Sequence, residues 1–132
     1  MTPHRPEDVS RVLDLVAREN VKMIDFKFMD FPGQWQHTSI PVSQFSAGTF
    51  DEGLGFDGSS LRGFKNIHES DMVIIPDPAT AIIDPFVKEK TLSLVCDIYE
   101  PLTREKYERC PRNIAQKAEA YLQQTGLADT AY

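Results

Sequence analysis

Cysteine is scarce: Cys96 and Cys110 are the only two in 132 residues, far from any C-x-x-C spacing. That excludes a disulfide framework and a cysteine zinc site, and both thiols read as structural. No apolar run approaches the roughly 18–20 residues that cross a membrane, and Met1-Thr2-Pro3-His4-Arg5-Pro6 leads into charged sequence, unlike the apolar core of a secretion signal. The expected location is therefore the cytoplasm, with no membrane partner. Positive charge is also in deficit. Lys and Arg number 14 against 20 Asp and Glu, a formal charge of -6, and no basic cluster is present to follow a phosphate backbone, so no nucleic-acid partner is expected. G-x-S-x-G, a Cys/His pair, H-E-x-x-H and G-x-x-x-x-G-K-[ST] are all missing, which leaves hydrolase chemistry and a P-loop without support. What is there is 41% apolar residues at the length of one ordinary domain, enough to bury a core.

Glycine is sparse but concentrated: five of the seven fall between Gly48 and Gly63. The run Gly53-Leu54-Gly55-Phe56-Asp57-Gly58-Ser59-Ser60-Leu61-Arg62-Gly63-Phe64 reads as a long loop, with His68-Glu69-Ser70-Asp71-Met72 close behind. Such a segment gives up conformational entropy to present one carboxylate and two hydroxyls on an unusual backbone path. Leu54, Phe56, Leu61, Phe64 and Ile67 are interleaved as anchors against a surface, which argues against disorder.

Around it the chain has clear periods. Val9, Val12, Leu13 and Val16 recur at helical spacing between Glu7-Asp8, acids suited to a first turn, and a stop at Asn20, a helix of about three turns. Ile24, Phe26 and Phe28 alternate with Asp25, Lys27 and Met29. Phe31-Pro32-Gly33 then breaks the run before Trp35 to Ile40, so the two stretches read as a hairpin. Met72-Val73-Ile74-Ile75 is a short strand, Pro76-Asp77-Pro78 a turn, and Ala79 to Ile83 a second extended piece stopped by Asp84-Pro85. Leu92, Leu94, Cys96 and Ile98 form one buried face of a longer strand, with Val95 the one strong apolar residue opposite. About four or five strands with one packed helix make a small α+β domain. From Pro101 to Arg112 the chain reads as a polar linker. Beyond it Ile114, Lys117, Ala118, Tyr121 and Leu122 share one helical face, with Asn113 as cap and Gly126 as stop.

Gly53, Gly55 and Gly58 match G-x-G-x-x-G literally. A dinucleotide site needs those glycines between a strand and a helix, and neither pattern flanks them. Asp57 leaves two readings open: an Asx or Ser/Thr turn in which it only bonds nearby amides, or a ligand-binding carboxylate. His68, Glu69 and Asp71 are too crowded for a metal site and read as a hydrogen-bonded loop-to-strand junction. His37 reads as a strand-face residue, not a base.

The succession Phe26-Lys27-Phe28-Met29-Asp30-Phe31-Pro32-Gly33-Gln34-Trp35-Gln36-His37, Phe56-Asp57-Gly58-Ser59-Ser60-Leu61-Arg62-Gly63-Phe64, His68-Glu69-Ser70-Asp71-Met72, Pro76-Asp77-Pro78 and Asp84-Pro85-Phe86 resembles the N-terminal region of bacterial type I glutamine synthetases. Pro111-Arg112-Asn113-Ile114-Ala115 and Gly126 to Tyr132 extend the likeness to the last residue. The resemblance implies a β-grasp-like domain at 1–103, then at 104–132 a linker and the first helix of a catalytic domain whose remainder lies further along. It implies ligation of ammonia to glutamate with ATP through γ-glutamyl phosphate, in sites shared between neighbouring subunits of stacked rings, a dodecamer by family habit. Asp57 would then be the carboxylate that binds ammonium and helps take its proton, and Ser60 a loop hydroxyl in the same shared site.

ATP, Mg2+ or Mn2+, and glutamate would be held mainly by residues beyond Tyr132, so no metal or cofactor residue is assigned here and the chain alone is expected to be inactive. Two rivals stand beside this reading: an amine-selective γ-glutamyl ligase of the same superfamily, and a non-catalytic assembly module.

Overall fold

The computed structural model describes residues 4–60, 63 and 71–131. The first helix, α1 (Pro6–Arg18), starts where Pro6 sits at N1 with Glu7 and Asp8 in the first turn, and it ends at Glu19. The next residue, Asn20, turns the chain at φ 51°. Asn is one of the few side chains that tolerate this left-handed conformation, which explains the stop. Asp8 is held by Arg5 at 2.9 Å and Arg11 at 3.2 Å.

Strands β1 (Met23–Met29) and β2 (Trp35–Pro41) form the expected antiparallel hairpin, from Met23 opposite Pro41 to Met29 opposite Trp35. Its turn is organised by Asp30, which is 2% exposed. The Asp30 carboxylate accepts from the Gln34 amide at 2.7 Å and from Gln36 Nε2 at 3.1 Å. Then come a short helix α2 (Thr49–Glu52), β3 (Leu54–Asp57), a 3-10 turn over Gly58–Ser60, β4 (Asp71–Pro76), a 3-10 turn over Pro78–Thr80, β5 (Ile82–Ile83), β6 (Thr91–Tyr99) and α3 (Pro111–Thr125).

The six-stranded sheet runs β2-β1-β6-β4-β3, with β5 also on β6. Its centre is a parallel pair, β1 with β6, and among the described residues the other pairings are antiparallel. Beside β6, β4 pairs with Cys96–Tyr99 and β5 with Leu92 and Ser93. Between them Thr80 Oγ1 accepts from the Val95 amide at 2.9 Å, and the Asp77 amide donates to the Val95 carbonyl at 2.9 Å. A side chain thus fills the gap in the ladder, as a buried backbone donor requires.

One sheet face carries Ile24, Phe26 and Phe28 of β1, Leu92, Leu94, Cys96 and Ile98 of β6, and Met72 and Ile74 of β4, all buried. Val12 completes this core from α1, with Val9, Leu15 and Val16 packed against it. Each fully buried Phe, Leu or Ile contributes about 1.5–3 kcal/mol. The other face of β6 is not left to solvent: Ser93 and Asp97 are buried as well.

Three expectations need correction. The glycine run is not one long loop, because Leu54–Asp57 pairs with β4 from Leu54 opposite Ile74 to Asp57 opposite Asp71. The stretch 101–110 is not a solvated linker: Tyr107 and Cys110 belong to the core, Tyr99 bridges to Lys106, and the Tyr107 amide donates to the Ile98 carbonyl at 2.8 Å. Asn113 does not cap α3. Pro111 takes N1 after Cys110, and Asn113 is buried with Nδ2 donating to the Tyr107 carbonyl at 3.1 Å. The Gly126 stop is present, in the left-handed region at φ 71°.

Candidate functional site

Asp57 is the last residue of β3, an edge strand whose alternation sends Leu54 and Phe56 inward and leaves Gly55 and Asp57 exposed. Phe56 anchors the strand against Phe28 of β1, ring centroids 5.0 Å apart. At the start of β3, Gly53 adopts φ +72°, and a Cβ there would lie 2.5 Å from the Ile74 carbonyl oxygen. Only glycine fits both conditions. At the far end of the segment, Gly63 at φ +77° lies against Phe31, whose Cβ would be 2.6 Å from an added methyl.

The Asp57 carboxylate closes an Asx turn: Oδ1 accepts from the Ser59 amide at 2.9 Å and from Ser59 Oγ at 2.7 Å. The turn-forming reading is therefore correct as local geometry, and it leaves an exposed carboxylate of fixed orientation at a strand end. An oriented, exposed carboxylate can attract a cation and accept a proton. The hydroxyl bonded to Asp57 is that of Ser59, at the i, i+2 spacing common to Asx turns. Ser60 ends the 3-10 turn and is exposed. Across the ladder Asp71 is the residue opposite Asp57 and is also exposed. His68, Glu69, Leu61, Phe64 and Ile67 lie outside the described residues.

At the opposite edge of the sheet, His37 on β2 has Nδ1 2.7 Å from Asp25 Oδ1, which also accepts from Ser39 Oγ at 2.8 Å. Lys27 lies 3.5 Å from Asp84 and 3.9 Å from Asp25. Asp25, Lys27, His37 and Asp84, with Trp35 and Ile82, line a shallow cleft of about 540 Å³. His37 is accordingly a strand-face residue held by its neighbour.

A second polar cluster ties α3 to the sheet. Arg112 Nη1 donates to Asp97 Oδ1 at 2.7 Å and Nη2 to Asp77 Oδ2 at 2.6 Å, while Lys106 Nζ lies 3.6 Å from Asp97. Burial acts to raise the Asp77 pKa, but the bond and charge of Arg112 and the Ala79 amide outweigh it and hold it below its ordinary value. Burial likewise acts to lower Arg112, and Asp77 and Asp97 raise it instead. Burial and the neighbouring Asp97 charge push the Cys96 thiol well above its ordinary value, which leaves it inert as a nucleophile. Tyr99 is pushed up to about 12, first by burial and then by Asp97. Neither cysteine is in a disulfide, and both are buried.

Among the described residues no group of three or more His, Cys, Asp or Glu side chains gathers as a metal site requires. The two carboxylates of Asp57 and Asp71 do not make such a set. No described helix is long and apolar enough to cross a membrane.

A parallel central pair flanked by antiparallel strands, with one helix on the core face, defines a β-grasp module that presents an oriented carboxylate at the end of an edge strand. A family model for the β-grasp domain of glutamine synthetase matches residues 20–101, and the chain belongs to the glutamine synthetase family. It is 55% identical over 132 residues to the glutamine synthetase of Aquifex aeolicus, covering all of this chain and 28% of that protein. To that of Mycobacterium tuberculosis it is 54% identical over 132 residues, covering 27% of that protein. The chain thus spans little more than a quarter of the length of these relatives. Among solved structures, Plasmodium falciparum glutamine synthetase superposes with a TM-score of 0.79 at 20% identity, over 94% of this chain and 24% of that one. A GmaS/ADP complex gives 0.77 at 19% identity, over 86% of this chain and 26% of that one. At those identities the two structures attest the fold.

Proposed function

We propose that this chain is the ammonium-site domain of a glutamate–ammonia ligase, with residues 1–103 forming the β-grasp domain and 104–132 leading into the catalytic part of the longer polypeptide. The observation that carries this reading is the exposed, Ser59-oriented carboxylate of Asp57 at the end of β3, in a chain more than half identical to glutamine synthetases along its whole length. Ammonia at neutral pH is mostly ammonium, which has no lone pair. A site must hold the cation, exclude water and take a proton before nitrogen can attack. The Asp57 carboxylate attracts the ion and assists removal of its proton. The freed lone pair then attacks the γ-carbonyl of γ-glutamyl phosphate, the new C–N bond forms and inorganic phosphate departs.

In this reading the Asp57 and Ser60 turn completes the site of a neighbouring subunit in a ring-shaped homo-oligomer, a dodecamer of stacked rings. ATP, Mg2+ or Mn2+, and glutamate are held by the rest of the polypeptide. The experiment is Asp57→Ala in the full-length enzyme. Turnover falls by about 10²-fold or more while ATP and glutamate affinities stay within about twofold, because the lost group acts after phosphoryl transfer. Loss of glutamate affinity alone, or unfolding, returns Asp57 to a purely turn-forming role. Nitrogen-donor assays on the same enzyme separate ammonia from alkylamines, and so separate this reading from an amine-selective ligase.

A further inference from the structure

The segment that carries Asp57 is short of support within itself. Among the described residues β3 has four residues and pairs with one strand, β4, so how its start is held bears directly on the position of its far end. That start follows α2, a single turn whose last carbonyls lack intrahelical donors. A distant residue supplies them. Arg104 Nη2 donates to the Asp51 carbonyl at 3.1 Å and to the Glu52 carbonyl at 3.4 Å, and Nη1 donates to Glu52 at 3.3 Å. The Glu52 carbonyl belongs to the peptide group that enters Gly53, the residue whose φ of +72° sets the direction of β3.

Arg104 is itself built into an uncommon conformation. Its φ is +60°, and among the described non-glycine residues Asn20 alone is also at positive φ. The turn is closed by Arg104 N donating to the Glu100 carbonyl at 2.9 Å and by Glu100 N donating to the Glu105 carbonyl at 2.9 Å. A long side chain in the left-handed region persists only when its surroundings over-determine it. The same connector also reaches the other end of the segment, where Arg109 Nη1 donates to the Gly63 carbonyl at 3.4 Å. Two arginines from residues 101–110 therefore bracket the stretch from Gly53 to Gly63.

We propose that Arg104 is a positioning residue for Asp57: by clamping the α2 carbonyls it fixes the peptide plane from which β3 departs, and so sets where the carboxylate stands in the ammonium site. The inference rests on the reading of Asp57 given above. It assigns to the connector, beyond joining two parts of the polypeptide, control over nitrogen-donor capture.

The test uses the full-length enzyme with Arg104→Met, Arg104→Lys and Asp57→Ala, varying ammonium, glutamate and ATP separately. A carboxylate displaced by about an ångström loses its alignment, so Arg104→Met raises KM for ammonium about tenfold while KM for glutamate and ATP stays within about twofold. Arg104→Lys, which keeps one charged donor, raises it about threefold. A general structural role would move all three substrates together, and that result overturns the proposal, as does an unchanged ammonium KM in Arg104→Met. If Arg104→Met fails to fold, Arg104→Lys decides: a selective rise in ammonium KM supports the clamp, and wild-type kinetics overturn it. An inactive Asp57→Ala beside an unaffected Arg104→Met rejects the clamp alone. An Asp57→Ala enzyme with wild-type ammonium dependence rejects the ammonium-site reading and the clamp with it.

Discussion

Replacing Arg112 with Met keeps an unbranched apolar stem in the first turn of α3 and removes the guanidinium, and with it one charge, from between two carboxylates. The Arg112 side chain is 26% exposed, Asp77 22% and Asp97 9%, with both contacts under 3 Å. Breaking a fully buried pair costs ~3–5 kcal/mol, and the residual exposure here reduces that to roughly 2–3 kcal/mol. Asp97 keeps Lys106 at 3.6 Å and Gln116 at 3.4 Å, which limits the loss further. With a urea m-value of about 1.5–2 kcal/mol/M, the midpoint of Arg112→Met falls by about 1–2 M, read by far-UV circular dichroism. The pH dependence has a definite sign. Asp77 has a folded pKa below the ordinary 3.8, so its share of the stability is present above about pH 4 and is lost as pH falls through the folded value. The gap between wild type and variant is therefore flat through neutral pH and narrows in acid. A midpoint shift below about 0.3 M, or a gap that widens on acidification, would refute the reasoning.

Three further outcomes follow from the same structure. Gly53→Ala places a methyl 2.5 Å from the Ile74 carbonyl oxygen at φ +72° and should destabilise by about 2–3 kcal/mol or more, measured by urea unfolding. Ile114 and Tyr121 on α3 are 47% and 69% exposed, so hydrogen exchange beyond the first turn should be faster than in β6; equal protection in a demonstrated monomer would contradict this. In full-length hybrids, Asp57→Ala subunits mixed with subunits disabled in their ATP and metal residues should regain activity at interfaces pairing an intact half from each. Background activity in hybrids verified by mass would place Asp57 in its own subunit's site.

The elements legible in the sequence are those held by their own periodicity. β1 alternates Ile24, Phe26 and Phe28 against Asp25 and Lys27, β6 does the same from Leu92 to Ile98, and α1 carries its apolar stripe between an acidic first turn and Asn20. β3 was hidden because its strand character is borrowed. With Gly55 among its four residues and Gly53 and Gly58 on either side its intrinsic preference is poor, and pairing with β4 and the Phe28–Phe56 contact supply what the local sequence lacks. The connector misled for a similar reason: Tyr107 and Cys110 stand alone among polar residues and gain their burial from distant strands. At the candidate site, Asp57 stands out through its glycine neighbours, and its Asx turn to Ser59 follows the i, i+2 spacing. The Arg112 cluster joins residues far apart in sequence, Asp77, Asp97 and Arg112, and no local pattern announces it.

The place of β6 also decides when this molecule becomes a protein. It is the last of the described strands, yet β1, β4 and β5 all pair with it, and Met23 meets Thr91. The β1–β2 hairpin can zip within about 1–10 μs, whereas a sheet united by distant strands belongs to the millisecond-to-second range. Until Thr91–Tyr99 arrives, the chain holds two separate ribbons, and the edge of β1 beside Ile24, Phe26 and Phe28 stands open to any other extended chain. On the ribosome, the exposure of the β1 edge therefore ends with the emergence of a single strand.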